Sequence, residues 1–157
     1  MKRIDHELIQ NLIESAQSSS RGRKNYNIHK VAADPVQRLL NAMEPGSYVQ
    51  PHKHENPDKR ELFVVLRGKM LLIEFNDDGS IHEHQILESA VQNYAAEIAE
   101  RKFHTVISLQ KGSLALEVKD GPYEAADDKN FASWAPKEGD PDCDKYLQGL
   151  LDQLNIK

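Results

Sequence analysis

His52 and His54, two positions apart, are followed by Glu61 and, much later, by His104; this is the densest chemistry in the chain. On a strand, residues two apart point to one face, so His52 and His54 present their imidazoles side by side. Glu61 opens the apolar run Leu62-Phe63-Val64-Val65-Leu66, which suits a neighbouring strand across a loop holding Asn56, Pro57 and Asp58. His104, flanked by Phe103 and the apolar Val106 and Ile107, offers a third imidazole from a strand distant in sequence. Three neutral imidazoles and one carboxylate suit a single divalent transition ion, Fe(II), Mn, Ni, Cu or Zn, with one or two coordination positions left for water or substrate. Structural zinc more often recruits thiolates, and Cys143 is the chain's one cysteine. A second pair, His82-Glu83-His84, follows a hairpin signal and sits beside Gln85 and Glu88, so it reads as an exposed strand. His6 and His29 stand alone, His6 on the exposed face of a first helix.

These residues need elements to position them. Ile4, Leu8, Ile9, Leu12, Ile13 and Ala16 recur at helical spacing, which predicts an amphipathic helix over 5–16 with Asp5 as its cap. From Tyr26 onward short apolar runs alternate with turn residues for about ninety positions, predicting strands at 36–43, 47–54, 61–67, 69–75, 80–87, 91–98, 103–109 and 113–119. Asp78-Gly79 is a hairpin signal, since both residue types tolerate positive φ. Leu114, Leu116 and Val118 alternate with Ala115 and Glu117, the period of a strand with one buried face. About eight evenly spaced strands imply an all-β sandwich or barrel. Tyr146, Leu147, Leu150, Leu151 and Leu154 return to helical spacing, so a C-terminal helix packs on the outside of the β core.

With 157 residues, the chain has the size of one domain with one core. Its 20 basic and 25 acidic side chains give a formal net charge of -5. Arg21-Gly22-Arg23-Lys24 is too small a basic patch in an acidic protein to read nucleic acid, so it is expected as a solvated loop or a local anion contact. No apolar stretch is long enough for a membrane span, and acids interrupt the N-terminus before a signal-peptide core can form. The expected location is cytoplasmic, in accord with one unpaired cysteine.

Gly46-x5-His52-x-His54-x6-Glu61-x6-Gly68 resembles the first cupin motif, and the segment from Asn93 to Ser108 takes the place of the second. Residues Arg38 to His54, Glu61 to Gly68, Gly121-Pro122-Tyr123 and Phe131 to Pro136 resemble the WbuC family of cupin-fold metalloproteins; Arg23, Asn25, Asn27 and His29 are similar to its N-terminal part. The resemblance implies an all-β fold, a single cupin jelly-roll β-barrel with an N-terminal and a C-terminal helix. The divisions are a helical extension and loop over 1–30, the barrel over 31–122, and a C-terminal segment and helix over 123–157. It also implies a metal held by His52, His54, Glu61 and His104, a role in bacterial surface-polysaccharide metabolism, and a homodimer.

The chain departs from the family pattern in two ways. Six residues separate His54 from Glu61 where three or four are usual, and Asn93, Ala99, Arg101 and Ser108 replace glycine, proline, glycine and asparagine. Ala99 and Arg101 are expected to weaken the turn that aims His104.

Three functions fit these residues. The first is a metal-dependent enzyme, an isomerase or epimerase or a dioxygenase of the cupin type, acting on a small polar metabolite such as a sugar or sugar nucleotide, with Asn27, His29, Arg38 and Tyr48 as candidates for orienting it. The second is a non-catalytic metal-containing module that binds or senses sugars. The third is a metal-independent isomerase or epimerase using His and Tyr as acid and base. Trp134 is expected either to pack the C-terminal segment onto the barrel or to roof its mouth.

Overall fold

The computed structural model describes residues 1–91, 93–126 and 128–156. Gln92, inside the strand expected over 91–98, lies outside them. The first helix, α1 (His6–Gln17), starts at Asp5, whose carboxylate accepts a hydrogen bond from the Leu8 N–H at 3.1 Å. Ten strands follow: β1 (Arg23–Asn27), β2 (Val36–Met43), β3 (His52–Lys53), β4 (Glu61–Arg67), β5 (Lys69–Phe75), β6 (Ile81–Glu88), β7 (Ala95–Ile98), β8 (Phe103–Ser108), β9 (Ser113–Asp120) and β10 (Asn130–Phe131). Helix α2 (Cys143–Gln153) comes last. No helix among the described residues is long and apolar enough to cross a membrane.

The strands form two antiparallel five-stranded sheets, ordered β1-β2-β9-β4-β7 and β10-β3-β8-β5-β6. This is the jelly roll expected. Two of its strands were not legible beforehand. β1 is polar throughout (Arg-Lys-Asn-Tyr-Asn), and β10 is two residues long, so neither carries an apolar period. The strand expected over 47–54 shrinks to His52–Lys53, pinned between β10 and β8.

Each sheet is covered on its outer face by one helix. Leu12, Ile13 and Ala16 of α1 pack on Leu40, Ala42 and Leu114, while Leu147 and Leu150 of α2 pack on Leu71, Ile73, Phe75 and Ile107. Strands buried on both faces read as continuous apolar runs, which is why Met70-Leu71-Leu72-Ile73 has no polar alternation. Between the sheets, Met43, Phe63, Val65, Met70, Leu72, Leu87, Ile98 and Ala115 form the apolar interior. Trp134 packs beside Phe75 and Phe103 and covers the Asp78-Gly79 turn, where Gly79 has φ +87° and a Cβ would lie 2.8 Å from the indole. It therefore fastens the C-terminal segment to the barrel and is not part of the cavity wall.

Candidate metal centre

The antiparallel register builds the centre from three strands. His52 of β3 lies opposite His104 of β8, and Glu61 of β4 projects from the facing sheet. The ligand atoms of His52, His54, Glu61 and His104 lie within 4.8 Å of one another, and all four side chains are at most 4% exposed. Nε2 of His54 and of His104 are each 2.9 Å from a Glu61 carboxylate oxygen.

Backbone carbonyls set the proton on each ring. His52 Nδ1 faces Gln50 O at 3.0 Å, His104 Nδ1 faces Lys102 O at 2.8 Å, and His54 Nδ1 faces Asp128 O. A carbonyl only accepts, so each Nδ1 carries the hydrogen and each neutral ring offers a bare Nε2 lone pair. Three lone pairs and a carboxylate thus converge with no donor between them, and the buried His54 Nε2 has no hydrogen-bond partner among the described residues. A cation satisfies this donor set: histidine ligands whose second nitrogen is held by a carbonyl are the usual surroundings of a bound metal.

The electrostatics agree. Burial pushes the His52 imidazolium far below its ordinary range, with the nearby Lys129 charge adding to the effect, so this ring stays neutral. Burial would raise Glu61, but the adjoining His104 and His54 rings and the charge of Lys119 hold it well below the usual carboxylate range.

The departures in the second motif are accommodated. Arg101 adopts φ +64°, a region costly for a side chain with a Cβ. Its N–H donates to the His54 carbonyl at 3.1 Å and its guanidinium pairs with Asp58 at 2.9 Å. The longer loop after His54 supplies that Asp58, so the turn before His104 is tied to the first motif instead of being set by glycine.

His52, Glu61 and His104 lie in the wall of a cavity of about 920 Å³. Asn27 and His29 also line it; Asn25 donates to Asn27 Oδ1 at 2.7 Å, and the Arg38 N–H donates to His29 Nδ1 at 3.1 Å. Arg38 and Tyr48 do not line it. Strand alternation turns Arg38 to the outer face, where it pairs with Asp34 at 2.6 Å. Tyr48 is buried against α2, its hydroxyl donating to Pro136 O at 2.7 Å. Arg21 and Arg23 are not a free loop: both grip Glu138 at 2.6 Å. His82 and His84 are exposed on β6.

Several cavity residues gave no signal in the sequence. Glu117 and Lys119 point inward from β9, while Leu114 faces α1. Asn41 Nδ2 donates to Glu117 Oε2 at 2.5 Å. Burial, with repulsion from Glu61, pushes the Glu117 carboxyl up to about 7. Asp128 bridges Lys59 at 2.8 Å and Lys119 at 2.7 Å, and Lys119 also lies 3.4 Å from Glu61. The signal that could have found these residues is the helix-facing leucine at Leu114: if α1 covers the outside of β9, the charged alternate positions must face the barrel interior.

Solved structures carry the same architecture. CapF from Staphylococcus aureus, a capsular polysaccharide assembling protein, is 17% identical with a TM-score of 0.60 over 72% of this chain and 32% of its own. KdgF from Halomonas sp. is 16% identical with a TM-score of 0.53 over 70% of this chain and 87% of its own. Oxalate decarboxylase from Lactobacillus farciminis is 17% identical with a TM-score of 0.54 over 86% of this chain and 37% of its own. The chain therefore spans about a third of CapF and of the decarboxylase, and at these identities the likeness is one of fold, the cupin jelly roll. No curated protein matches the sequence. A family model described as "Domain of unknown function (DUF6016)" matches residues 4–87, more than half of the sequence and including His52, His54 and Glu61, and the chain belongs to that family.

Proposed function

We propose that the protein is a cupin metalloenzyme that holds one divalent transition ion on His52, His54, Glu61 and His104 and acts on a small polar metabolite, such as a sugar or sugar nucleotide, in cytoplasmic bacterial surface-polysaccharide metabolism. The observation that carries this reading is the convergence of three carbonyl-anchored imidazoles and a carboxylate on one point. The resemblance to the WbuC family and the fold shared with a capsular polysaccharide assembling protein support the metabolic setting. The WbuC resemblance also favours a homodimer and the division of the chain at 31–122. When bound, the ion supplies Lewis-acid polarisation of a substrate oxygen. The chain's own residues keep His52 neutral, orient the three rings, and present Asn27 and His29 to the ligand.

The test is elemental mass spectrometry on protein purified without chelator or nickel resin, for wild type, His54→Ala and His82→Ala. One transition ion per chain is expected in wild type and His82→Ala, and loss of most of it in His54→Ala. No bound metal in wild type, with thermal stability unchanged by Fe(II), Mn, Ni or Zn, overturns the reading. Turnover assays with sugar nucleotides on the metal-loaded protein then separate an enzyme from a sugar-binding module.

A further inference from the structure

Lys129 is a cation of the cavity with no carboxylate partner among the described residues. It lines the same cavity as His52, Glu61 and His104, it is exposed, and no described carboxylate lies within 4.0 Å of its ammonium, as is also true of Lys24 and Lys30 farther along the wall. Neighbouring charges are already committed. Asp128 is gripped by Lys59 and Lys119, Glu61 faces His54, His104 and Lys119, and Glu117 takes its hydrogen bond from Asn41. The backbone on both sides of Lys129 is pinned. Asp128 O accepts from His54 Nδ1, and Asn130 pairs with Lys53 in the β10–β3 ladder while its side chain donates to Glu55 O at 3.0 Å.

A fixed backbone that carries an unpaired ammonium inside a cavity favours an external anion. Six basic side chains line the cavity against four acidic ones, so the wall already carries a basic excess to which a divalent ion on the histidines would add.

We propose that Lys129 is an anion-recognising residue, and that the cavity's ligand is a small hydroxylated molecule bearing one acidic group, a carboxylate or a phosphate monoester, paired with this ammonium. The assignment deepens the metalloenzyme reading by naming the substrate class. The neutral oxygens of such a molecule meet Asn25, Asn27 and His29 along the wall.

The experiment is calorimetric titration of the metal-loaded full chain with glucose, gluconate and glucose 6-phosphate at matched ionic strength, for wild type, Lys129→Met and Lys129→Arg. Metal content is measured in every sample after titration. At least one acid is expected to bind wild type about tenfold or more tightly than glucose, to lose about tenfold or more in Lys129→Met, and to recover in Lys129→Arg. Gluconate alone identifies a carboxylate site, and glucose 6-phosphate alone a phosphate site. No acid binding to metal-loaded wild type, equal affinity for glucose and both acids, or unchanged affinity in Lys129→Met overturns the proposal. Lys129-dependent acid binding by protein that holds no metal keeps the anion site and overturns the metal centre instead.

Discussion

Glu117 is a buried carboxylate of the cavity that no histidine touches, and its titration has a readable consequence for the fold. Burial, then repulsion from Glu61, raises it from an ordinary 4.5 to about 7. The folded chain therefore binds this proton more tightly than the unfolded one. The sign follows: the stability it contributes is fully present below pH 4.5 and is lost as pH rises to about 7. In metal-free protein, Glu117→Gln should remove a loss on the order of 1–3 kcal/mol across that window, so the variant gains on wild type between pH 5 and pH 8 in urea denaturation. A constant difference between the two proteins across that range would show that Glu117 is already ionised in the fold. The contrast with His52, His54, Glu61 and His104 explains what was legible residue by residue. Those four are singled out by residue type together with the resemblance to the cupin motifs, whereas Glu117 and Lys119 look like a solvated face because charge on alternate strand positions ordinarily means solvent.

At the level of elements, the segment from Asp128 to Phe131 ties the cavity shut from one side. Asp128 joins it to Lys59 before β4 and to Lys119 on β9, and all three side chains are nearly inaccessible. Removing the shared carboxylate leaves the buried Lys59 ammonium without an acidic partner and Lys119 with only its 3.4 Å contact to Glu61. Asp128→Ala should therefore cost about 3–5 kcal/mol in chemical denaturation. Arg60→Ala, which removes only the exposed pair with Asp120, should leave the midpoint nearly unchanged. A small effect of Asp128→Ala would mean that the lysines find water instead. The helices and the long apolar strands were readable from their periods. β1 and β10 were not, because they are polar or two residues long and owe their extended form to the partner strand rather than to their own side chains, and β3 was expected longer than it is. Gly68 makes the same point: it has φ +76°, and a Cβ there would meet Ser113 Oγ at 2.4 Å, an approach that exists only once β5 and β9 are assembled.

For the whole molecule, the proposed metal binding is coupled to folding. The four ligands come from β3, the residue following it, β4 and β8, so only the assembled barrel brings their donor atoms together. An ion that binds the folded chain at about a hundredfold above its dissociation constant adds about 2.7 kcal/mol, which for a domain of this size raises the melting temperature by roughly 5–10 °C. Calorimetric scans with and without a chelator should show that difference in wild type and its loss in His54→Ala. An unchanged transition in chelated wild type would mean that the site does not bind metal appreciably in the folded protein.

By itself, the sequence determined the all-β class and the two flanking helices, since each depends on local period, and it pointed to the four residues of the candidate centre through residue type and a motif resemblance. Only the tertiary structure decided which face of each strand lines the cavity. Placing α1 and α2 on the outside turns Leu114 and Ile107 toward the helices and sends Glu117, Lys119 and His104 inward. It also decided that Arg38 and Tyr48 stand apart from the cavity and that Lys129 stands in it with no carboxylate partner among the described residues. Alternation fixes that neighbouring side chains face opposite ways; which way is inside depends on what packs against the sheet.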